Sequence, residues 1–211
     1  MPHHRSVGVL GAAAPRGAPV SRASFIKRVG VVAGAVGAGG AAIGSLANLS
    51  SAQPSAAMDV RILNFLLRLE YLQGEFYATA VDDGALTGEL AEFARTVGEH
   101  ELAHVAFLEE VLGDDAIDQP TFDFGGATSN DDDFGAAALE LEETTAAAYI
   151  GQGANLTDDN VLAAARIVSV EARHAAWLRD ILGENPAPLA QDVAMSEKKV
   201  NAAIRDTGFV P

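Results

Sequence analysis

The chain has 211 residues, 49% of them hydrophobic, and no cysteine. That is enough for one sizeable core plus an extension, and the missing thiols exclude disulfides, zinc ribbons and thiolate-held iron–sulfur clusters. The formal charge of −15 is split unevenly: residues 1–57 carry five basic side chains and no Asp or Glu, leaving nine basic and all 29 acidic groups, a formal −20, for the remainder. A surface that acidic repels nucleic acid and anionic lipid and attracts cations.

Residues 1–57 read as an export signal and linker. Ser21-Arg-Ala-Ser-Phe-Ile-Lys-Arg28 is followed by an uncharged Gly/Ala/Val stretch from Val29 to about Leu49, then by small residues from Ser50 to Ala57. A basic start, an apolar middle and small residues at the end have the order of an export signal. The six glycines between Gly30 and Gly44 make the middle only weakly hydrophobic. The block resembles a twin-arginine signal, Ser-Arg-Arg-x-Phe-Leu-Lys, with Ala23 where the second arginine would stand. That departure leaves the general secretory route open beside the twin-arginine one. The expected location is periplasmic, envelope or extracellular, and membrane-anchored if the signal is not cleaved.

From Met58 onward, sparse aromatics and abundant Ala and Leu predict packed helices rather than sheet. The first helix is expected over Ala56 to Asp82, closed by Asp83-Gly84, and the second over Thr87 to Leu112, stopped by Gly113. A seventeen-residue connection, Asp114 to Asn130, holds Pro120 and Gly125-Gly126. The third helix starts near Asp131 and ends at Gly151 to Gly153. The fourth follows Thr157, whose hydroxyl is expected to cap it ahead of Asp158 and Asp159, and ends at Gly183. Residues 58–188 thus form the bundle, and residues 189–211 an extension with a short helix around Asp192 to Arg205.

The two halves repeat. Leu69-Glu70 and Tyr77 correspond to Leu141-Glu142 and Tyr149 at an offset of 72 residues. Glu101-Leu-Ala-His104 with Phe107-Leu108 and Leu112-Gly113 corresponds to Glu171-Ala-Arg-His174 with Trp177-Leu178 and Leu182-Gly183, at an offset of 70. Each half is one Glu-bearing helix and one Glu-x-x-His helix. A helix of about 25 residues is roughly 38 Å long, and seventeen extended residues reach roughly 56 Å. The connection can therefore run the length of the bundle, giving two antiparallel hairpins joined by one long crossover.

Glu and His three apart share a helix face, and in both pairs that face is otherwise apolar. Glu70 sits among Phe65, Leu66, Leu69 and Tyr77, and Glu142 among Leu139, Ala146 and Tyr149, so both point inward. Four buried carboxylates and two imidazoles left unpaired would each cost several kcal/mol, and two divalent cations balance four carboxylates. Glu75, Glu140 and Glu143 compete with Glu70 and Glu142 for the role, but the spacing of seven from Glu to Tyr in both halves selects the latter. Tyr77 and Tyr149 either donate hydrogen bonds to carboxylates or fill the core. Trp177 is expected in the core, and His100 in solvent.

On these residues, 58–183 resemble the bacterial ferritin-like family that includes desiccation-related proteins, often with export signals. The matching stretches are Leu63 to Tyr77, Glu101 to Gly113, Leu139 to Gly151 and Ile167 to Gly183. The resemblance implies an all-α four-helix bundle in which Glu101 and Glu171 bridge two ions, while Glu70 with His104, and Glu142 with His174, cap one each. Carboxylate-rich ligation suits iron, or manganese, and reactions with oxygen or peroxide, which makes those the expected partners in oxidative or desiccation stress. A non-enzymatic envelope protein whose metal only stabilises the fold is the alternative, and a homo-oligomer stays open. A zinc protease through His100-Glu101-x-x-His104 is a further reading, but the second copy has Val170 in place of His100 and keeps Glu171 and His174.

Overall fold

A computed structural model describes residues 54–211. The export signal expected over residues 1–57, with His3, His4 and all five of its basic residues, lies almost wholly outside them. Helix α1 spans Ala56–Asp83, α2 Gly88–Leu112, α3 Asp131–Gly153, α4 Asp158–Ile181 and α5 Glu197–Asp206. Among the described residues there is no strand, and no helix is long and apolar enough to cross a membrane.

Local chemistry sets these limits. The Ser55 hydroxyl accepts from the Met58 N–H at the start of α1, and Asn130 Oδ1 accepts from the Asp133 N–H at the start of α3. The three aspartates of that first turn, Asp131 to Asp133, face the positive end of the α3 dipole. Gly84, at φ 62°, takes the left-handed conformation that ends α1.

The helices α1 and α2 pack as one antiparallel hairpin and α3 and α4 as the other, and the square closes through α1 on α3 and α2 on α4. The crossover climbs α1 from one end to the other. Asn64 bonds the Asp115 carbonyl and the Ile117 N–H, each at 2.8 Å, Gln119 reaches Glu75 at 2.8 Å, and Thr128 meets Asp83 at 2.6 Å. Between these, Phe124 packs edge-on against Phe76 at 5.4 Å. The connection therefore runs the bundle's length, and α3 starts beside the end of α1.

The ends of the bundle are tied across its diagonals. Asp59 of α1 accepts from the Thr157 N–H at 3.0 Å, the Thr157 hydroxyl at 2.5 Å and Asn160 at 2.8 Å, at the start of α4. Asp131 of α3 accepts from the Thr87 N–H at 2.9 Å and the Thr87 hydroxyl at 2.5 Å, at the start of α2. These residues repeat the offsets of 72 and 70. Thr157 stands at the N-cap of α4, but its hydroxyl makes no capping bond. Instead of accepting from its own helix it donates to Asp59, a role opposite to the one expected of it.

The C-terminal helix begins five residues later than expected. The Met195 N–H bonds the Ala147 carbonyl at 2.9 Å, which holds the strap before α5 extended against α3. A Cβ on Gly151 would collide with the Met195 carbonyl oxygen, so glycine is what lets the strap come so close. Beyond it, α5 buries Val200 and Ile204 against α3 and bonds α1 through Arg61–Glu197 at 2.5 Å and Arg68–Asn201.

Candidate metal centre

Each of the four long helices brings one carboxylate to the bundle axis, about midway along its length. Glu70, Glu101, Glu142 and Glu171 are completely buried, and His104 and His174 nearly so. They form two overlapping sets of potential ligand atoms, each within 4.8 Å of one another: Glu70, Glu101, His104 and Glu171, and Glu101, Glu142, Glu171 and His174. Glu101 and Glu171 belong to both sets, and each remaining Glu–His pair to one.

The histidines aim the same nitrogen inward. His104 Nδ1 lies 3.2 Å from Glu70 Oε2 and from Glu101 Oε2, and 3.1 Å from Glu171 Oε1. His174 Nδ1 lies 3.1 Å from Glu101 Oε1 and 3.3 Å from Glu142 Oε2, close to both but in hydrogen-bond geometry with neither. Five buried atoms have no hydrogen-bond partner among the described residues: Glu101 Oε1, Glu142 Oε2, both oxygens of Glu171, and His174 Nδ1. All five belong to the residues of the two sets. Buried polar atoms are rarely left unsatisfied, and a set of carboxylate oxygens and imidazole nitrogens facing one point fits divalent cations.

The outer atoms are tied down. The Tyr149 hydroxyl donates to Glu70 Oε1 at 2.5 Å, and the Tyr77 hydroxyl donates to Glu142 Oε1. Each tyrosine thus holds the carboxylate of the other half, leaving that carboxylate's second oxygen turned toward a histidine. Gln73 Nε2 adds a second donor to Glu142 Oε1 at 3.0 Å, and the Thr145 hydroxyl orients the Gln73 amide by donating to its oxygen at 2.6 Å.

Burial dominates the protonation of the metal-free site. It pushes Glu101 and Glu171 well above the usual carboxylate range, with neighbouring carboxylates adding to the effect. Burial also opposes charge on His104, but the carboxylates of Glu101, Glu171 and Glu70 gathered around its Nδ1 outweigh it and raise its pKa to about 12. Burial, reinforced by Glu142 for Tyr77 and by Glu70 for Tyr149, raises both phenols well above their ordinary value, so both remain donors throughout the physiological range.

The competing carboxylates are used elsewhere. Glu75 accepts from Gln119, Glu140 is exposed, and Glu143 pairs with Arg179. Trp177 is partly buried and packs edge-on against Phe93 at 5.0 Å. His100 keeps an exposed edge but is not simply solvated: its Nδ1 lies 2.9 Å from His174 Nε2. It enters neither ligand set, so the pair of zinc-binding histidines within one His-Glu-x-x-His motif does not form. Gln73, Thr145 and His100 are the contributors that sequence reasoning missed. Gln73 and Thr145 stand 72 residues apart, so extending the repeat to unlike residues would have found them.

The model of the ferritin-like domain matches residues 58–184, well over half of the chain. The chain belongs to the ferritin-like domain family. No curated protein matches it. As a ferritin-like domain it has a buried acid and histidine cluster able to bind metal, at the middle of a bundle whose hairpins are joined by a long crossover.

Proposed function

We propose that this ferritin-like protein is exported and holds a dinuclear iron centre, or a manganese one, that reacts with oxygen or peroxide in oxidative or desiccation stress. The observation that carries the reading is the set of five buried donor atoms without partners, distributed over two ligand sets that share Glu101 and Glu171. Two cations would account for every one of them, with Glu101 and Glu171 offering ligand atoms to both and one Glu–His pair to each. When bound, such a pair of ions would supply one-electron steps in reactions with oxygen or peroxide.

The chain's own residues do the rest. Glu70 and Glu142 each keep one oxygen fixed by a tyrosine, which orients the other toward the centre. Glu101 and Glu171 would hold the cations as carboxylates, so binding would compete with the protons that burial favours on them. The apolar side chains above and below, among them Phe76, Phe93, Leu108 and Leu178, keep bulk water away. With no cysteine in the chain there is no four-thiolate iron site to relay electrons, so sustained peroxidase turnover draws on an external reductant. Export is supported by the basic, apolar and small-residue order of residues 1–57.

Metal-free protein loaded anaerobically with Fe(II) and then given oxygen or peroxide should oxidise its iron, followed optically. Absence of ferroxidase, peroxidase and catalase turnover with both iron and manganese would sink the redox reading and leave a metal that stabilises an envelope protein. Intact-mass measurement on the exported protein tests the address: a mass beginning at Met1 removes the cleaved signal.

A further inference from the structure

We propose that His100 is a positioning residue that makes the two metal positions unequal, so that the Glu142–His174 position takes its cation first and holds it more tightly. This rests on the dinuclear reading above and adds an order of loading to it.

The argument starts from the inward nitrogen of His174. For Nδ1 to offer a lone pair to a cation, the ring proton must sit on Nε2. Nε2 lies 2.9 Å from His100 Nδ1, which gives that N–H an acceptor and leaves His100 its own proton on the outer nitrogen. The two rings are inclined by only 11°, with centroids 5.1 Å apart. That separation is one hydrogen bond plus two ring radii, so the imidazoles lie edge to edge and nearly coplanar, as an in-plane N–H···N bond requires. A ligating histidine whose outer N–H is held has its tautomer and orientation fixed and its basicity raised.

The other position lacks this support. The residue corresponding to His100 is Val170, which offers no nitrogen. Among the described residues His104 Nε2 has no hydrogen-bond partner, while its Nδ1 faces three carboxylates. The carboxylates repeat the inequality. Glu142 Oε1 receives both Tyr77 and Gln73, whereas Glu70 Oε1 receives Tyr149 alone, because Thr145, in the place corresponding to Gln73, bonds Gln73 itself. Both private ligands of one ion are thus held more firmly than those of the other, and preorganised ligands lose less freedom on binding.

The test is an anaerobic titration of metal-free full-length protein with Co(II), followed by calorimetry and by the visible absorption of the bound ion. Wild type should bind two ions in resolvable steps. His100→Ala should weaken the tighter step by about 10- to 100-fold and leave the weaker one in place. His100→Asn, whose Oδ1 stands close to where Nδ1 stood, should restore most of the lost affinity, while His100→Leu, which keeps bulk without an acceptor, should behave like His100→Ala. His174→Ala should remove the tighter step, and adding His100→Ala to it should change nothing more. Several results would overturn the proposal: His100→Ala without effect, equal weakening of both steps, Leu restoring binding as well as Asn, or loss of the step that depends on His104. Fewer than two ions on wild type would remove the dinuclear reading and this inference together, whereas two ions with a silent His100→Ala would remove only the inference.

Discussion

Among the described residues, Glu70 of the first hairpin is steadied from outside by a single hydroxyl and His104 by no protein group on its far nitrogen, whereas in the second hairpin Glu142 has two donors and His174 an imidazole partner. The supporting residues are distributed the other way. Among the described residues, Gln73, Tyr77 and His100 all come from the first hairpin and bond candidate ligands of the second, which returns only Tyr149. A repeated ligand set therefore does not make repeated sites. The candidate ligands follow the internal repeat, and the groups around them do not.

The largest effect should separate the shared carboxylates from the private ones. Glu171→Ala removes a member of both ligand sets and should abolish binding of both ions, whereas Glu142→Ala should cost only the ion that also uses His174. Metal content after dialysis against a weak chelator decides between them. Equal losses would mean that the two sets do not act as separate positions.

The shared carboxylates should also shape the response to pH. In the metal-free protein, burial raises Glu101 and Glu171 well above their unfolded pKa. Their contribution to stability is therefore present below the unfolded value near 4.5 and is lost as pH rises through the folded one. His104, raised from 6.5 to about 12, acts with the same sign: its contribution is complete below 6.5 and fades as pH climbs toward 12. Metal-free protein should melt at progressively lower temperature between about pH 6 and pH 9. Bound metal should reverse the trend, because the ligands bind deprotonated, and should add about 4 kcal/mol at a thousandfold excess over Kd. Calorimetric melting with and without Mn(II) measures both slopes. A metal-free melting temperature that rises over this range would contradict the assigned protonation.

A smaller difference should separate the two tyrosines. Tyr149→Phe leaves the buried Glu70 Oε1 without a donor and should cost about 1–3 kcal/mol. Tyr77→Phe leaves Gln73 on the corresponding oxygen of Glu142 and should cost less. Denaturant unfolding of the two metal-free variants gives the ranking, and the reverse order would remove the asymmetry of the carboxylate supports.

Much of this bundle is legible in the sequence because its signals are local or repeated. Gly84, Gly113 and Asn130 mark helix ends by backbone conformation and capping, and the Glu-x-x-His pairs mark faces by helical spacing. His100 is illegible for two reasons: its partner His174 lies 74 positions away, and Val170 breaks the repeat at the corresponding place. Gln73 and Thr145 are hidden because they bond each other as unlike residues. The start of α5 cannot be read either, since it depends on the Met195 N–H being held by the Ala147 carbonyl across the bundle, and no local propensity carries that. The Thr157 hydroxyl departs from expectation for a similar reason: a capping role is local, but the buried Asp59 that orients this hydroxyl as a donor lies 98 positions away.

That last contact sets up the smallest effect, at the ends of the bundle. Asp59 and Asp131 occupy corresponding places and hold corresponding threonines across opposite diagonals, but only Asp59 is buried, and only it gains a third donor, from Asn160. Burial alone would raise the Asp59 pKa, yet its bonds to Thr157 and Asn160 lower it overall, so its stabilisation is present above the unfolded pKa of 3.8 and lost as pH falls through the folded one. Asp59→Ala removes an acceptor that three donors share and should cost about 1–2 kcal/mol. Asp131→Ala leaves Thr87 open to water and should cost less. Neither residue touches the centre, so metal stoichiometry should not change in either variant. If Asp59→Ala also lowered metal content, the start of α4 would have to be part of what holds Glu171 and His174 in place, and the ends and the middle of the bundle could no longer be treated as independent.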